Sequence, residues 1–217
     1  MKKGSLISLL TFPICFILLI TFLEVIEYFY HLSFVKYGVL PRTLSGLKGI
    51  IFSPLIHSDF THLGNNAAPL FILLLSLRYF YKSISYEVFF WIWIISGIWL
   101  WSFGRMNYHI GASGIVYAIS SFLFFSGLIR KHTKLMAISL FVVFMYGSLI
   151  WGIFPIKEQI SWEGHLAGAL SGFVLAWWFR KDGPPKQVYQ YELDEESEHE
   201  ELPVEYTYFY KKNDQKE

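Results

Sequence analysis

The chain has 217 residues, of which 54% are hydrophobic and 20% aromatic, while only 16% are charged. Soluble domains carry about 25% charged residues, so this composition excludes an ordinary soluble domain and indicates a polytopic membrane protein. Residues 1–181 contain 14 Lys and Arg against 6 Asp and Glu, whereas residues 182–217 contain 4 against 11. We therefore predict a basic membrane domain, 1–181, and an acidic, disordered cytoplasmic tail, 182–217. Binding of a partner by this tail is the alternative interpretation.

Apolar runs of about 20 residues predict the membrane spans, because that length crosses the hydrocarbon core as a helix. Six such runs occur, at residues 5–29, 62–82, 86–104, 112–130, 135–154 and 163–180. An even number of spans places both termini on one side. Ten Lys and Arg flank the spans on the side of the termini and five on the other, and cytoplasmic loops are enriched in these residues. We expect both termini in the cytoplasm, with a bacterial inner membrane as the location.

The first apolar run has a signal peptide as its alternative interpretation, because Lys2 and Lys3 form a short basic start. The run is long, however, and continues to Tyr30 without a small-x-small cleavage site. An uncleaved first span is the preferred prediction.

The long connection between the first two spans, residues 31–61, is too apolar for a free loop. We expect short amphipathic segments lying in the membrane interface, and a loop packed against the helices is the alternative. Near its end, Ser58, Asp59 and Thr61 are each able to cap the second helix.

A serine opens the fourth span, in the sequence Gly111-Ala112-Ser113-Gly114. Unpaired backbone N–H groups and the positive end of the helix dipole lie beside a residue of the first turn, and they offer half of an oxyanion hole. Gly111 and Gly114 permit a tight turn and close approach of a substrate backbone. Alone the motif is weak, since most serines in membrane helices only hydrogen-bond to a carbonyl or pack.

A histidine opens the sixth span, where it follows Gly164 and borders a stripe of small residues. The stripe repeats every four residues, at Gly164, Gly168 and Gly172, and lets another helix approach closely. The fourth span offers a semi-polar face, formed by Ser113, Tyr117, Ser120 and Ser121. Contact between the two helices would let His165 act as a general base for Ser113, with Tyr117 stacked on the imidazole. A histidine hydrogen-bonded for packing alone is the alternative.

The second span opens with His62 and Asn66, which lie four residues apart and share one helix face. Both side chains are able to donate hydrogen bonds to a developing oxyanion. A metal site formed by His57, Asp59 and His62 is the alternative, but this spacing fits no ordinary ligand set. Walker, His-Glu-x-x-His and Cys-x-x-Cys motifs are absent from the sequence. We expect no metal and no cofactor.

The motifs His62-x-x-x-Asn66, Gly111-x-Ser113-Gly114 and Gly164-His165, each at the head of a separate span, resemble those of the rhomboid family of intramembrane serine proteases. The resemblance covers residues 1–181. It implies an all-α bundle of six transmembrane helices with an interfacial first external loop, acting on transmembrane protein substrates in the lipid bilayer.

Carried over to this chain, the resemblance implies Ser113 as the nucleophile and His165 as the general base, without a third acid. It also implies an oxyanion site formed by His62, Asn66 and the Ser113 amide beside Gly111, and a Tyr117 ring stacked on the histidine. Many members carry a Trp-Arg pair in the first external loop, whereas the corresponding stretch Leu47-Lys48-Gly49-Ile50 has none.

Two other functions are compatible with parts of this pattern. A rhomboid-like scaffold would bind membrane helices without cutting them, but it has no need of Ser113 and His165 together. A transporter would need polar groups through the whole membrane thickness, whereas the candidate polar residues cluster at one end of the spans. A serine endopeptidase is therefore the preferred prediction, with no nucleic acid among its partners.

Overall fold

Apolar stretches of 13 to 28 residues form the long helices, because a helix satisfies its backbone hydrogen bonds internally when water is absent. The computed structural model describes residues 3–145, 151–156 and 159–185. The α-helices in these residues are α1 (Lys3–Tyr30), α2 (Gly49–Phe52), α3 (Phe60–Phe80), α4 (Ser85–Phe103), α5 (Ser113–Ile129), α6 (Thr133–Met145) and α7 (Trp162–Trp178). The part of the chain described contains no β-strand, and the predicted all-helical architecture is confirmed.

Among the residues that the structure describes, three helices are both long and apolar enough to cross a membrane, namely Leu6–Tyr30, Phe60–Phe80 and Ser85–Phe103. Helices α5 and α6 are apolar but shorter. Each of the six predicted spans overlaps one of the long helices. A crossing by all six helices remains a prediction.

The fifth predicted span, 135–154, is wrong at its C-terminal end. Residues Trp151–Ile153 form a 3-10 turn. Gly152 within this turn and Pro155 after it both disfavour a continuing α-helix. Apolarity alone therefore extended the predicted span into a connection that packs beside α7.

Helix α5 lies at the centre and packs against α3, α4, α6 and α7. Its contact with α7 is very close, because a Cβ at Gly168 would lie 2.1 Å from the Gly114 carbonyl oxygen. The prediction that the glycine stripe of α7 admits another helix is confirmed. Large apolar side chains on α3 and α5 form the core around this pair; they include Leu70, Leu73, Leu74, Leu77, Ile115, Ile119, Phe122 and Leu123.

The connection between α1 and α3 packs against α4. The indole nitrogens of Trp101 and Trp93 donate to the carbonyl oxygens of Thr43 and Ile50, over 2.9 and 3.0 Å. The backbone of this connection is therefore packed against a helix, as the alternative interpretation predicts. Leu44 remains 88% exposed, and contact of this loop with the membrane interface stays a prediction.

Two polar caps fix the starts of α3 and α7. Asp59 is the residue that caps α3, since its Oδ1 accepts from the His62 amide over 2.8 Å. This hydrogen bond and the Ser58 hydroxyl hold the pKa of Asp59 below its usual range. Ser161 caps α7, because its Oγ accepts from the Gly164 amide over 3.3 Å. The caps satisfy N–H groups that a helix start leaves unpaired.

The opposite end of α5 contains a second polar cluster. Tyr81 and Ser126 share a hydrogen bond between their hydroxyl groups. The Arg130 guanidinium donates to the Ser126 hydroxyl over 3.3 Å and to the Phe179 carbonyl over 2.8 Å. These bonds join α5 to the ends of α3 and α7. Most of the predicted tail, 182–217, lies outside the described residues, so the proposed domain division remains a prediction.

Candidate active site

The close packing of α5 and α7 brings Ser113 and His165 together. The distance from His165 Nε2 to Ser113 Oγ is 2.8 Å. Ser113 is the first residue of α5 and His165 lies in the first turn of α7. The hydroxyl and the ring therefore face each other where the starts of the two helices meet. The imidazole is largely buried there.

A backbone carbonyl orients the His165 ring. Its Nδ1 lies 2.8 Å from the Gly152 carbonyl oxygen. A carbonyl oxygen only accepts hydrogen bonds, so Nδ1 carries the proton and Nε2 presents a lone pair to the Ser113 hydroxyl. Gly152 is a functional residue that the sequence does not indicate, because a backbone atom has no residue-type signal and the apolar run around Gly152 predicts a span.

The ring of Tyr117 lies parallel to the His165 imidazole. Their centroids are 4.2 Å apart and the planes differ by 13°. Tyr117 follows Ser113 by one helical turn, so the same helix carries the hydroxyl and the surface against which the imidazole rests. This contact restricts rotation of the His165 ring.

Gly111 has a backbone conformation that a side chain would strain, with φ +103°. Its amide donates to the Ser53 carbonyl over 2.9 Å. A Cβ at this position would lie 2.7 Å from His62 Nε2 and 3.7 Å from Asn66 Nδ2. The structure therefore brings His62 and Asn66 beside the turn that precedes Ser113.

His62 and Asn66 direct nitrogen atoms towards this turn. The Ser58 hydroxyl lies 3.2 Å from His62 Nδ1, so the opposite nitrogen, Nε2, faces Gly111. Asn66 Nδ2 donates to the His62 carbonyl oxygen over 3.0 Å, which fixes the amide on the same side of α3. Their roles towards an oxyanion remain predictions.

His57 has a structural role that the sequence does not indicate, since the pattern offers His57 only as part of an alternative metal site. It is 2% exposed, and its Nε2 accepts from the Ala112 amide over 3.4 Å. Burial, followed by the neighbouring His62, lowers the pKa of His57 to about 3, which keeps the ring neutral and able to accept. His57 and Ser53 thus hold successive amides of the turn before Ser113. Within the described ranges, no three His, Cys, Asp or Glu side chains group into a metal site.

A small polar cavity borders the Ser113 side chain. Its volume is about 30 Å³, which is room for about one or two water molecules. The polar residues that line it are Ser53, Ser96, His109, Ser113 and Ser161. Space for water therefore adjoins Ser113.

The fold and these contacts define an integral membrane protein with a serine–histidine pair between two of its helices. The model of the rhomboid domain matches residues 45–182. The chain belongs to the rhomboid family.

Relatives of this chain occur in mycobacteria. Uncharacterized proteins of Mycobacterium bovis and Mycobacterium tuberculosis are each 35% identical over 151 residues, covering 64% of this chain and 62% of theirs. One from Mycobacterium leprae is 32% identical over 174 residues, covering 75% of this chain and 68% of its own length. The matched region thus spans about 62% of the first two relatives. No solved structure matches the chain.

Proposed function

We propose that the protein is an intramembrane serine endopeptidase that hydrolyses a peptide bond in or near the transmembrane segment of membrane-protein substrates. The observation that carries this proposal is the 2.8 Å contact between Ser113 Oγ and His165 Nε2. The Gly152 carbonyl on the other ring nitrogen fixes the tautomer that a general base needs.

The first half of the reaction forms an acyl-enzyme. His165 Nε2 takes the Ser113 proton while Oγ bonds to the substrate carbonyl carbon, giving a tetrahedral intermediate with a negatively charged oxygen. The intermediate collapses when the C–N bond breaks, and His165 returns the proton to the leaving amine. The product is an ester between Ser113 and the new carboxyl end of the substrate.

The second half hydrolyses this ester. The polar cavity beside Ser113 offers a place from which a water molecule reaches the ester carbon. His165 takes a proton from the water, the hydroxide attacks, and the C–O bond to Ser113 breaks. His165 then returns the proton to Ser113 Oγ, and the carboxylic acid product leaves.

Stabilisation of the negative oxygen is assigned to the donors around Gly111. The Ser113 amide lies at the positive end of α5, and His62 Nε2 and Asn66 Nδ2 face the adjoining turn. Donors held in place before the reaction stabilise the transition state most, because they need no reorganisation when charge develops.

The substrate has to unwind locally before it is cut. A helix keeps its carbonyl groups in its own hydrogen bonds, so Ser113 reaches a carbonyl carbon only where that helix is open. We expect small or helix-weakening substrate residues at the cut and lateral entry between α3 and α6. The proposal also places the Ser113 end of the bundle at the outer face of a bacterial inner membrane, with both termini cytoplasmic.

The proposal is tested in proteoliposomes with a panel of single-span proteins that carry Gly, Ala or Ser near the outer membrane boundary. We expect the wild type to cleave at least one of them and Ser113→Ala to cleave none. Ser121→Ala is the matched control, because Ser121 lies on the same helix and its hydroxyl donates to the Ala169 carbonyl. Cleavage by Ser113→Ala at the wild-type rate contradicts the mechanism. A folded wild type that binds the panel without cutting it supports the scaffold alternative.

A further inference from the structure

A second histidine–serine contact lies in the segments that precede α5 and α7. The distance from His109 Nδ1 to Ser161 Oγ is 2.6 Å. His109 precedes Ser113 by four residues, and Ser161 precedes His165 by four. This contact therefore joins the two chain segments that lead into α5 and α7.

The direction of this hydrogen bond follows from the other ring nitrogen. His109 Nε2 lies 3.0 Å from the Arg105 carbonyl oxygen, which only accepts, so Nε2 carries the proton. The ring is 3% exposed, and burial lowers the pKa of His109. A neutral ring protonated at Nε2 has an acceptor at Nδ1, so the Ser161 hydroxyl is the donor.

Ser161 passes this constraint to α7. Its Oγ donates to His109 and accepts from the Gly164 amide, so the hydroxyl has one orientation. The Gly164 amide belongs to the first turn of α7, next to His165. His109 thus decides how the cap of α7 is oriented. The Ser161 carbonyl also accepts from the His165 amide over 3.2 Å, so the cap is tied to the backbone of the residue that carries the imidazole.

A second link holds the same two segments together. Arg105 Nη2 donates to the Ile160 carbonyl over 2.6 Å, and Arg105 Nε lies 3.4 Å from Glu163 Oε1. Glu163 is 2% exposed. Arg105 consequently joins the segment before α5 to the segment before α7 and to the first turn of α7.

We infer that His109 is a positioning residue, which sets the first turn of α7 through Ser161 and thereby the placement of His165 Nε2 against Ser113 Oγ. The inference rests on the proposed protease function. A displacement of about 1 Å in a reacting pair lowers a rate by up to about 100-fold, so a cap held in one orientation has a direct effect on turnover.

The test uses the 217-residue chain in proteoliposomes with the substrate that the wild type cleaves. The variants are His109→Leu, Ser161→Ala, the double variant, and His109→Asn. Asparagine offers Oδ1 near the place of Nδ1, so it retains an acceptor for Ser161. Tyr81→Phe is the control, because it removes a buried hydrogen bond at the opposite end of α5. The readouts are kcat, KM, the rate of fluorophosphonate labelling of Ser113, and the melting temperature.

For His109→Leu we expect kcat and the labelling rate to fall by about 10- to 100-fold, with KM changed less than about threefold. His109→Asn should recover most of this loss, and the double variant should be no slower than the slower single variant, because the two residues act through one bond. Tyr81→Phe should lower the melting temperature and leave kcat unchanged.

Wild-type kcat in His109→Leu overturns the inference, as do losses that multiply in the double variant or an asparagine variant as slow as the leucine variant. If His109→Leu does not fold, Ser161→Ala decides, since wild-type kcat in that variant is equally contradictory. A wild type that neither labels nor cleaves overturns the proposed function instead, and this result is distinct from every outcome that concerns His109 alone.

Discussion

Buried polar side chains lie at both ends of α5, but their hydrogen-bond partners differ. At the Tyr81 end, the hydroxyl groups of Tyr81 and Ser126 bond to each other, and Arg130 donates to Ser126 and to backbone carbonyls. At the Ser113 end, the hydroxyl meets an imidazole nitrogen and borders a polar cavity.

The difference lies in what each partner is able to do with a proton. A guanidinium and a phenol do not take a proton from a serine near neutral pH, whereas an imidazole does. A buried polar contact in a membrane bundle is therefore structural at one end and suited to chemistry at the other. Both ends contain a serine, so the serine alone does not distinguish them. The hydrogen-bond partner of the serine and the cavity beside Ser113 do.

The largest predicted difference between the two ends comes from removal of the imidazole. His165→Ala should lower kcat for substrate cleavage by about 10⁴-fold or more, because the hydroxyl loses its base. Tyr81→Phe should destabilise the protein by about 1 to 2 kcal/mol and leave kcat near the wild-type value. Equal losses of kcat in both variants, measured on folded protein, would contradict the division between the ends.

The next prediction compares two glycines near the start of the site. Gly111→Ala should lower kcat by about 100-fold, because a Cβ at φ +103° is strained and displaces the His62 ring. Gly64→Ala on α3 is the matched change, since a Cβ there meets nothing within 4 Å. Its kcat should remain within about twofold of the wild type, because Ala is more favourable than Gly in a helix interior. Steady-state cleavage assays on both variants test this, and unchanged kcat in Gly111→Ala refutes the close approach.

A smaller effect should separate ring stacking from the hydroxyl group of Tyr117. Tyr117→Phe preserves the ring that lies 4.2 Å from the His165 ring, so its kcat should stay near that of the wild type. Tyr117→Leu should be about tenfold slower, since stacked pairs are worth about 0.5 to 1.5 kcal/mol. The rate of Ser113 labelling by a fluorophosphonate measures this directly. A phenylalanine variant as slow as the leucine variant would assign the role to the hydroxyl instead.

The last prediction concerns stability against pH. His57 is neutral when folded, because burial lowers its pKa from 6.5 to about 3, whereas the unfolded chain takes up a proton below about pH 6.5. Stability is therefore full above pH 6.5 and falls as the pH drops towards 3, by at most about 1.4 kcal/mol per pH unit. His57→Gln should show a flatter dependence of unfolding free energy between pH 7 and 5. An unchanged slope would exclude His57 as its source.

Sequence reasoning reached the helices and most of the candidate site, because both depend on residue type and spacing. Long apolar runs predict α1, α3 and α4. The glycine stripe of α7 predicts that another helix packs closely against α7, and this helix is α5. Ser113 and His165 lie in the first turns of α5 and α7, so contact between these two helices predicts that the two side chains lie close together.

The remaining features depend on backbone atoms and on contacts between loops. The Gly152 carbonyl has no sequence signal, and the apolar run around it concealed the turn at Trp151–Ile153. His109 and Ser161 belong to connections whose register against each other is set only by the packed fold. Asp59 was one of three candidate caps, and the distance to the His62 amide selected it.

Activation of Ser113 by His165 is tested most directly by the site of covalent labelling with a fluorophosphonate in folded protein. We expect one modified serine, Ser113, in the wild type, and loss of this modification in both Ser113→Ala and His165→Ala. Labelling of a different serine, or labelling of Ser113 at the wild-type rate in His165→Ala, would contradict it.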